Sequence, residues 1–271
     1  MGEQGREKSI PSVDWQLLDN KKENHMRTAN PALNSKTFTE VARISDLSLS
    51  MTIQGTVNKT LLMLILVVIP AAWMWNLLNT GNPAVMPLLL GGTIGGFIVA
   101  LVTIFNKQWA VVTAPLYSVL EGLAIGGISA SAEAQFPGIV IQAVTLTFGT
   151  LFCLLLAYKS GLIKATENFK LGVVAATGGI ALIYIITFIL GFFGTHLAYI
   201  HDSGMIGVGI SVFVVIIAAL NLVLDFDFIE SGASSGAPKF MEWYAAFGLM
   251  VTLIWLYLEI LRLLTKILSR K

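Results

Sequence analysis

The sequence predicts an all-α membrane protein, a bundle of seven transmembrane helices. Of its 271 residues, 55% are apolar and only 12% are charged, whereas about a quarter of the residues in soluble proteins are charged. Seven stretches also reach or approach the roughly 20 apolar residues that a helix needs to cross a bilayer. Together, these observations predict an integral membrane protein.

The chain begins with a polar region ahead of the first apolar stretch. Residues 1–28 have mixed charge and no sustained apolar period, which is typical of a disordered tail, here expected in the cytoplasm. Residues 29–59 place apolar side chains such as Val41, Ile44 and Leu47 at a spacing that predicts an amphipathic lead-in segment. Residues 60–271 are predicted to form the seven-helix domain.

The predicted membrane-spanning segments are residues 60–78, 84–105, 109–130, 138–158, 170–193, 205–226 and 243–266. The second contains the run GGTIGG, in which Gly91 pairs with Gly95 and Gly92 with Gly96 at the four-residue spacing of a small-xxx-small motif. Such motifs predict that two helices pack closely. Gly122 and Gly126 repeat the motif in the third segment.

The distribution of Lys and Arg predicts the orientation in the membrane. These residues precede the first segment and occupy the second, fourth and sixth connections, whereas the first, third and fifth contain none. This pattern predicts a cytoplasmic amino terminus. Seven crossings would leave the carboxyl terminus outside, although it carries Arg262, Lys266, Arg270 and Lys271. Either the last segment is re-entrant, or it spans and the earlier charges override the terminal ones.

The stretch Ala218 to Glu230, AALNLVLDFDFIE, is an apolar helix predicted to end on three acids. An ionised carboxylate in hydrocarbon costs about 2.5–3.5 kcal/mol on insertion scales, so acids in such segments indicate function. Asp225 lies deepest and is the strongest candidate. Asp227 and Glu230 are equally compatible with marking the water interface.

Two further carboxylates lie within predicted helices. Glu121 is about 12 residues into the third segment, which places it roughly 18 Å deep. Glu259 is equally deep in the last segment. An isolated acid at that depth takes up a proton or finds a partner. Arg262 follows Glu259 by three residues, so the two could form a local ion pair on one helix face.

A second interpretation brings Asp225 and Glu259 together across neighbouring helices. Two carboxyls in contact share a proton, so the pair would be a pH-sensitive latch. Its oxygens also suit Ca²⁺, a hard ion that prefers carboxylate ligands. The sequence thus predicts a pH-sensing gate and transient metal site at these two residues, with Glu121, Asp227 and Arg262 as candidates for the ion pathway.

Four runs of the chain stand out as motifs: NPALNSKTF, FNKQWAVVTAPLYSVLEGLAIGGIS, LDFDFIE and LYLEILRLL. They resemble the bacterial branch of the Bax inhibitor-1/YccA family, also called the transmembrane Bax inhibitor motif family. The resemblance covers the chain from about residue 30 to its end and implies a seven-helix bundle with the last helix in the middle, in the bacterial inner membrane. It also implies a pH-dependent Ca²⁺ leak governed by an acidic pair on the sixth and seventh helices.

By motif, the sixth-helix acid of the family corresponds to Asp225, and its seventh-helix Asp is replaced here by Glu259. Two other departures concern cations. Arg262 stands beside the pair, and the second helix lacks the Arg that serves some relatives as an alternative partner, with Lys107 as the nearest cation. A nearby cation is expected to weaken the pH response.

Other function classes are less well supported by the sequence. YccA-like relatives suggest a non-conducting regulator that binds a membrane protease or another membrane complex. An intramembrane aspartyl protease also needs two acids, but its Tyr-Asp and Gly-x-Gly-Asp motifs are absent because the acids follow Leu224 and Leu258. We therefore expect no enzyme activity and no cofactor, and the net charge of +1 argues against nucleic-acid binding.

Overall fold

The computed structural model describes residues 50–193 and 204–270, which form a bundle of long helices. The helices are α1 (Ile53–Asn79), α2 (Val85–Phe105), α3 (Ala110–Gln135), α4 (Ile139–Lys159), α5 (Glu167–Phe192), α6 (Met205–Ser234) and α7 (Met241–Leu268). Seven helices among the described residues are long and apolar enough to cross a membrane, which confirms the predicted fold class. The predicted tail, and the lead-in segment up to residue 49, lie outside the described residues.

α1 and α6 extend furthest beyond their predicted spans. α1 begins at Ile53 rather than at residue 60, so the last turns of the predicted lead-in segment belong to this helix. α6 continues to Ser234 rather than ending near residue 226. The reason is packing, since Phe228 and Ile229 are buried and extend the apolar face of α6. The acids predicted at the end of this helix therefore lie inside it.

α7 occupies the middle of the bundle. It packs against α1, α3, α4 and α6, and its membrane-spanning part is the most buried of the seven. Its fully buried side chains include Tyr244, Phe247 and Met250. The central position that the family resemblance implied for the last helix is confirmed.

Glycines allow α1 and α2 to approach α3 closely. A Cβ atom on Gly126 would lie 2.6 Å from the Cα of Ala71 in α1, and one on Gly92 would lie 2.6 Å from the carbonyl oxygen of Leu120. A larger side chain at either position would therefore separate the helices. Of the two predicted pairs in α2, the one containing Gly92 packs against α3, whereas a Cβ on Gly91 would have open space around it.

Successive helices run in opposite directions, so α1, α3, α5 and α7 all begin at one end of the bundle, which we call the lower end. The lysine-bearing connections between α2 and α3, α4 and α5, and α6 and α7 lie there.

At the upper end, the Nζ of Lys266 in α7 donates hydrogen bonds to the Gly207 carbonyl at 3.1 Å and the Ser211 Oγ at 2.9 Å. α7 is thus one continuous helix that runs the length of the bundle, and the re-entrant alternative is wrong. The two acceptors at the start of α6 also explain how the charge of Lys266 is accommodated at the upper end.

Candidate functional site

Asp225 lies in the middle part of α6 and is almost completely buried, with 1% of its surface exposed. It stands nine residues before Ser234, about 14 Å from the end of the helix. Its neighbours Leu224 and Phe226 are also buried. The extension of α6 therefore places this carboxyl deeper than the sequence predicted.

Glu259 is 2% exposed and has hydrogen-bond donors from two helices. The Nη1 of Arg262 lies 3.0 Å from one carboxylate oxygen and 3.2 Å from the other. The Tyr184 hydroxyl of α5 donates at 2.9 Å, and the Trp255 indole donates at 3.3 Å. The ion pair that the three-residue spacing allowed is thus formed.

Tyr184 also contacts Arg262, the cation that pairs with Glu259. The same Nη1 of Arg262 donates to the Tyr184 hydroxyl at 2.7 Å, and the guanidinium carbon lies 5.4 Å from the centre of the tyrosine ring. That distance suits a cation–π interaction. Glu259, Arg262 and Tyr184 form a closed set of contacts, which we call the Glu259 triad.

The register of α6 against α7 fixes which residues face each other. The two helices form an antiparallel hairpin with a short turn at residues 235–240. At the other end of the hairpin, Lys266 bonds the carbonyl of Gly207. The turn places Asp225 at the level of Met250, and the Lys266 contact places it within one helical turn of that residue.

This register separates the two acids that were predicted to pair. Glu259 is nine residues beyond Met250, which corresponds to about 14 Å along the helix axis. The two residues lie at very different distances from the turn of the hairpin, and only residues at equal distances face each other. The expected hydrogen-bonded contact between Asp225 and Glu259 is therefore wrong for this structure, and the two carboxyls lie at different depths.

Glu121 lies in α3 and faces α2. A Cβ atom on Gly96 would lie 2.9 Å from its Oε1, so the absence of a side chain at Gly96 makes room for the carboxyl group. The contact between Ser129 and Tyr257, with 2.6 Å between their hydroxyl oxygens, sets the register of α3 against α7. This register places Glu121 at the same depth as Asp225, on another helix that packs against α7.

The acids nearer the lower end have partners on neighbouring helices. Asp227 lies 2.7 Å from the Nζ of Lys170, which is buried and also lies 3.6 Å from Glu167. Glu230 accepts a hydrogen bond from the Tyr158 hydroxyl at 2.5 Å. These contacts tie α6 to the start of α5 and to the end of α4.

A further carboxylate, which the sequence analysis did not select, is completely buried at the lower end. Glu242 is 0% exposed, forms a salt bridge with Lys59, and lies 2.8 Å from the Nζ of Lys239. The backbone N–H and the hydroxyl of Thr52 both donate to it at 2.9 Å. The carboxylate therefore joins the beginnings of α1 and α7, and we call this group the Glu242 cluster.

A family model described as Bax inhibitor 1 like matches residues 16–269. The chain is a member of this family. Comparison with curated proteins and with solved structures gives no match.

In this Bax inhibitor 1-like protein, the matched range includes all seven helices and every candidate acid. Within residues 50–193 and 204–270, no group of three or more His, Cys, Asp or Glu side chains could hold a metal ion. The roles predicted for Asp225 and Glu259 in sensing pH and binding Ca²⁺ stay predictions.

A signal for the Glu242 cluster was present in the sequence of this Bax inhibitor 1-like protein. Lys239 and Glu242 have the same three-residue spacing as Glu259 and Arg262. However, the predicted span began at residue 243, which left Glu242 in a connection. Its partner Lys59 is 183 residues away in the chain, so no local pattern relates the two.

Proposed function

We propose that this protein passes Ca²⁺ across a bacterial inner membrane as a pH-sensitive leak channel or exchanger, with its amino terminus in the cytoplasm. One observation carries the proposal: Asp225 and Glu259 are both at most 2% exposed, within helices long enough to span the membrane. Carboxylates at such positions are costly and typically mark ion pathways. In this proposal Ca²⁺ is the transported ion, and the protein is not an enzyme and holds no resident cofactor.

The Glu259 triad is the proposed gate. While Glu259 is ionised, Arg262 pairs with it within α7, and the Tyr184 hydroxyl, which donates to Glu259 and accepts from Arg262, holds α7 against α5. Protonation removes the negative charge and with it the attraction to the guanidinium. The Arg262 side chain is 42% exposed, so it can turn towards water when the pair breaks. Acidification is therefore expected to open the path.

Asp225 has a different proposed role, because it lies about 14 Å from Glu259 along the bundle. Ca²⁺ prefers carboxylate and carbonyl oxygens. An ionised Asp225 attracts the ion into the interior, and Glu121 at the same depth and Asp227 nearer the lower end are further candidates along the path. The two principal acids thus act in series rather than as one pair.

The test is Ca²⁺ entry into dye-loaded liposomes that contain the purified protein, scanned from about pH 5 to about pH 8. We expect the wild-type leak to rise as the pH falls. Glu259→Gln cannot form the ion pair and is expected to leak at every pH. Asp225→Asn loses the attracting charge and is expected to leak less at every pH. A second dye that reports internal pH distinguishes exchange for protons from a simple leak.

Glu167→Gln is the control, since this carboxylate is 39% exposed at the start of α5, ahead of the predicted span 170–193. It should retain the wild-type profile. If liposomes with and without protein leak alike at every pH, conduction is excluded. Crosslinking for a membrane protease or another membrane complex would then examine the alternative function as a non-conducting regulator.

A further inference from the structure

The outer surface of the bundle has a groove between α1 and α4. Its lower part is a cavity of about 900 Å³, with Leu249 and Leu253 of α7 at its base. A second cavity of about 480 Å³ continues towards the upper end, and the two share Leu64, Phe148 and Leu253. Cavities of this size are in the range that binds small molecules.

The lower cavity has the length of one lipid leaflet. It extends along α1 from Ile53 to Leu64 and along α4 from Phe148 to Lys159. Both distances correspond to about 16 Å at the helical rise. The hydrocarbon core of a bilayer is about 30 Å thick, so one leaflet contributes roughly half of it. An acyl chain of a single lipid would therefore fill the cavity lengthwise.

The polarity of the cavity follows the same axis. Its four charged lining residues, Lys159, Lys164, Asp227 and Glu230, are all at the lower end. The part nearer the middle of the bundle is lined mainly by apolar side chains, among them Leu61, Leu64, Phe148, Leu151 and Leu253. A lipid with its headgroup at the lower end would match this arrangement.

The charges at the mouth include both signs. Lys159 and Lys164 are exposed, and no carboxylate in the described part of the chain forms a salt bridge with either. Asp227 is neutralised by Lys170. Glu230 is exposed, and the hydrogen bond from Tyr158 occupies only its Oε2. The mouth thus offers two cations and one carboxylate oxygen to a ligand.

We propose that this groove binds phosphatidylethanolamine, with one acyl chain in the cavity, the phosphate at Lys159 and Lys164, and the ammonium group at Glu230. A phosphate accepts hydrogen bonds from lysines, and a primary ammonium donates them to a carboxylate. A phosphatidylglycerol headgroup has no ammonium for Glu230, and a choline headgroup has no N–H donor. The proposal is independent of Ca²⁺ transport.

The test uses the full chain in vesicles with equal amounts of phosphatidylethanolamine and phosphatidylglycerol that carry the same acyl chains. The photoreactive residue p-benzoylphenylalanine is placed at position 155 or 156. Leu155 lines the cavity, whereas Leu156 is 67% exposed on the same helix and lines neither cavity. After irradiation, mass spectrometry identifies the crosslinked lipids. The ratio of ethanolamine to glycerol adducts should be several-fold higher at position 155.

Substitutions of the charged residues at the mouth test the two contacts proposed for the lipid headgroup. Glu230→Gln should reduce the lipid ratio at position 155 towards that at position 156. Lys159→Ala combined with Lys164→Ala should lower the yield of both lipids at position 155 and leave position 156 unchanged. All three residues are exposed, so folding should be preserved, which size-exclusion chromatography checks.

Three results would overturn the proposal. Equal ratios at positions 155 and 156 would mean that only bulk lipid contacts the groove. Crosslinking of position 155 to residues 1–49 of the same chain would make that segment the occupant. Crosslinking to a second copy would make the groove a contact between protomers.

Discussion

Two buried glutamates of α7, Glu242 at its start and Glu259 in its interior, pair with cations in different ways. Glu242 forms salt bridges with Lys59 of α1 and with Lys239 in the turn before α7. Glu259 forms a salt bridge with Arg262 of its own helix. Both carboxylates are at most 2% exposed, so burial alone does not distinguish them.

Whether the paired cation lies on the same helix or on another one predicts what happens when each glutamate loses its charge. The Glu242 cluster connects α1 to α7, and loss of its buried carboxylate leaves Lys59, Lys239 and Thr52 without their shared acceptor at a helix junction. The ion pair of the Glu259 triad lies within one helix, so breaking it changes few contacts between helices. A carboxylate of the second kind can change its protonation state while the fold persists. This difference is why we assign the gate to Glu259 and a structural role to Glu242.

Glu242→Ala should have the largest effect on stability. The substitution leaves Lys59, Lys239 and the Thr52 N–H without their acceptor, and each hydrogen bond to a charged group typically contributes about 1.5–3 kcal/mol. The measurement is the free energy of unfolding in mixed micelles, with tryptophan fluorescence as the signal. Glu167→Ala is the control, and removal of this more exposed charge should cost at most about 1 kcal/mol. Equal effects of the two substitutions would contradict the structural role of Glu242.

Gly55→Ala should have the second largest effect, because a Cβ atom at this position would overlap the Glu242 carboxylate. Overpacking of this kind costs about 1–3 kcal/mol. In the Glu242→Ala background the space is empty, and alanine is a better helix former than glycine by about 1 kcal/mol. The same substitution should therefore become neutral or stabilising there. If its cost is equal in both backgrounds, Gly55 does not act through the carboxylate.

The sequence was sufficient to predict the helices because each carries a long apolar stretch, which is a local property. Helix ends were harder to predict where packing decides them. α6 continues past Asp225 since Phe228 and Ile229 are buried by other helices. Likewise, α1 begins early because Thr52 caps its first turn and also bonds Glu242, a residue far away in the chain.

The candidate site could be predicted only in part for a related reason. Asp225 and Glu259 stand out locally as acids in apolar surroundings, and the local pair with Arg262 follows from its spacing. Whether two acids on neighbouring helices meet depends on the register of the hairpin, which is set by the length of α6 and by the contact of Lys266 with Gly207. Tyr184 was missed because a lone tyrosine in an apolar helix carries no signal of its partner.

Tyr184→Phe should have the smallest effect on stability and still alter the gate. It removes one hydroxyl, which donates to Glu259 and accepts from Arg262, and the loss of such a hydrogen bond costs about 0.5–1.5 kcal/mol. The matched control is Tyr257→Phe, which removes the hydroxyl contact with Ser129 between α3 and α7 and does not touch the Glu259 triad.

Both substitutions should lower the free energy of unfolding by similar amounts. Only Tyr184→Phe should raise Ca²⁺ leak near neutral pH, because it removes a hydrogen bond by which α5 holds the ionised Glu259. Equal leak from the two variants would reduce Tyr184 to a packing role. A loss of stability as large as that of Glu242→Ala would show instead that the Glu259 triad is a structural junction, so that the two buried glutamates of α7 do not differ in kind.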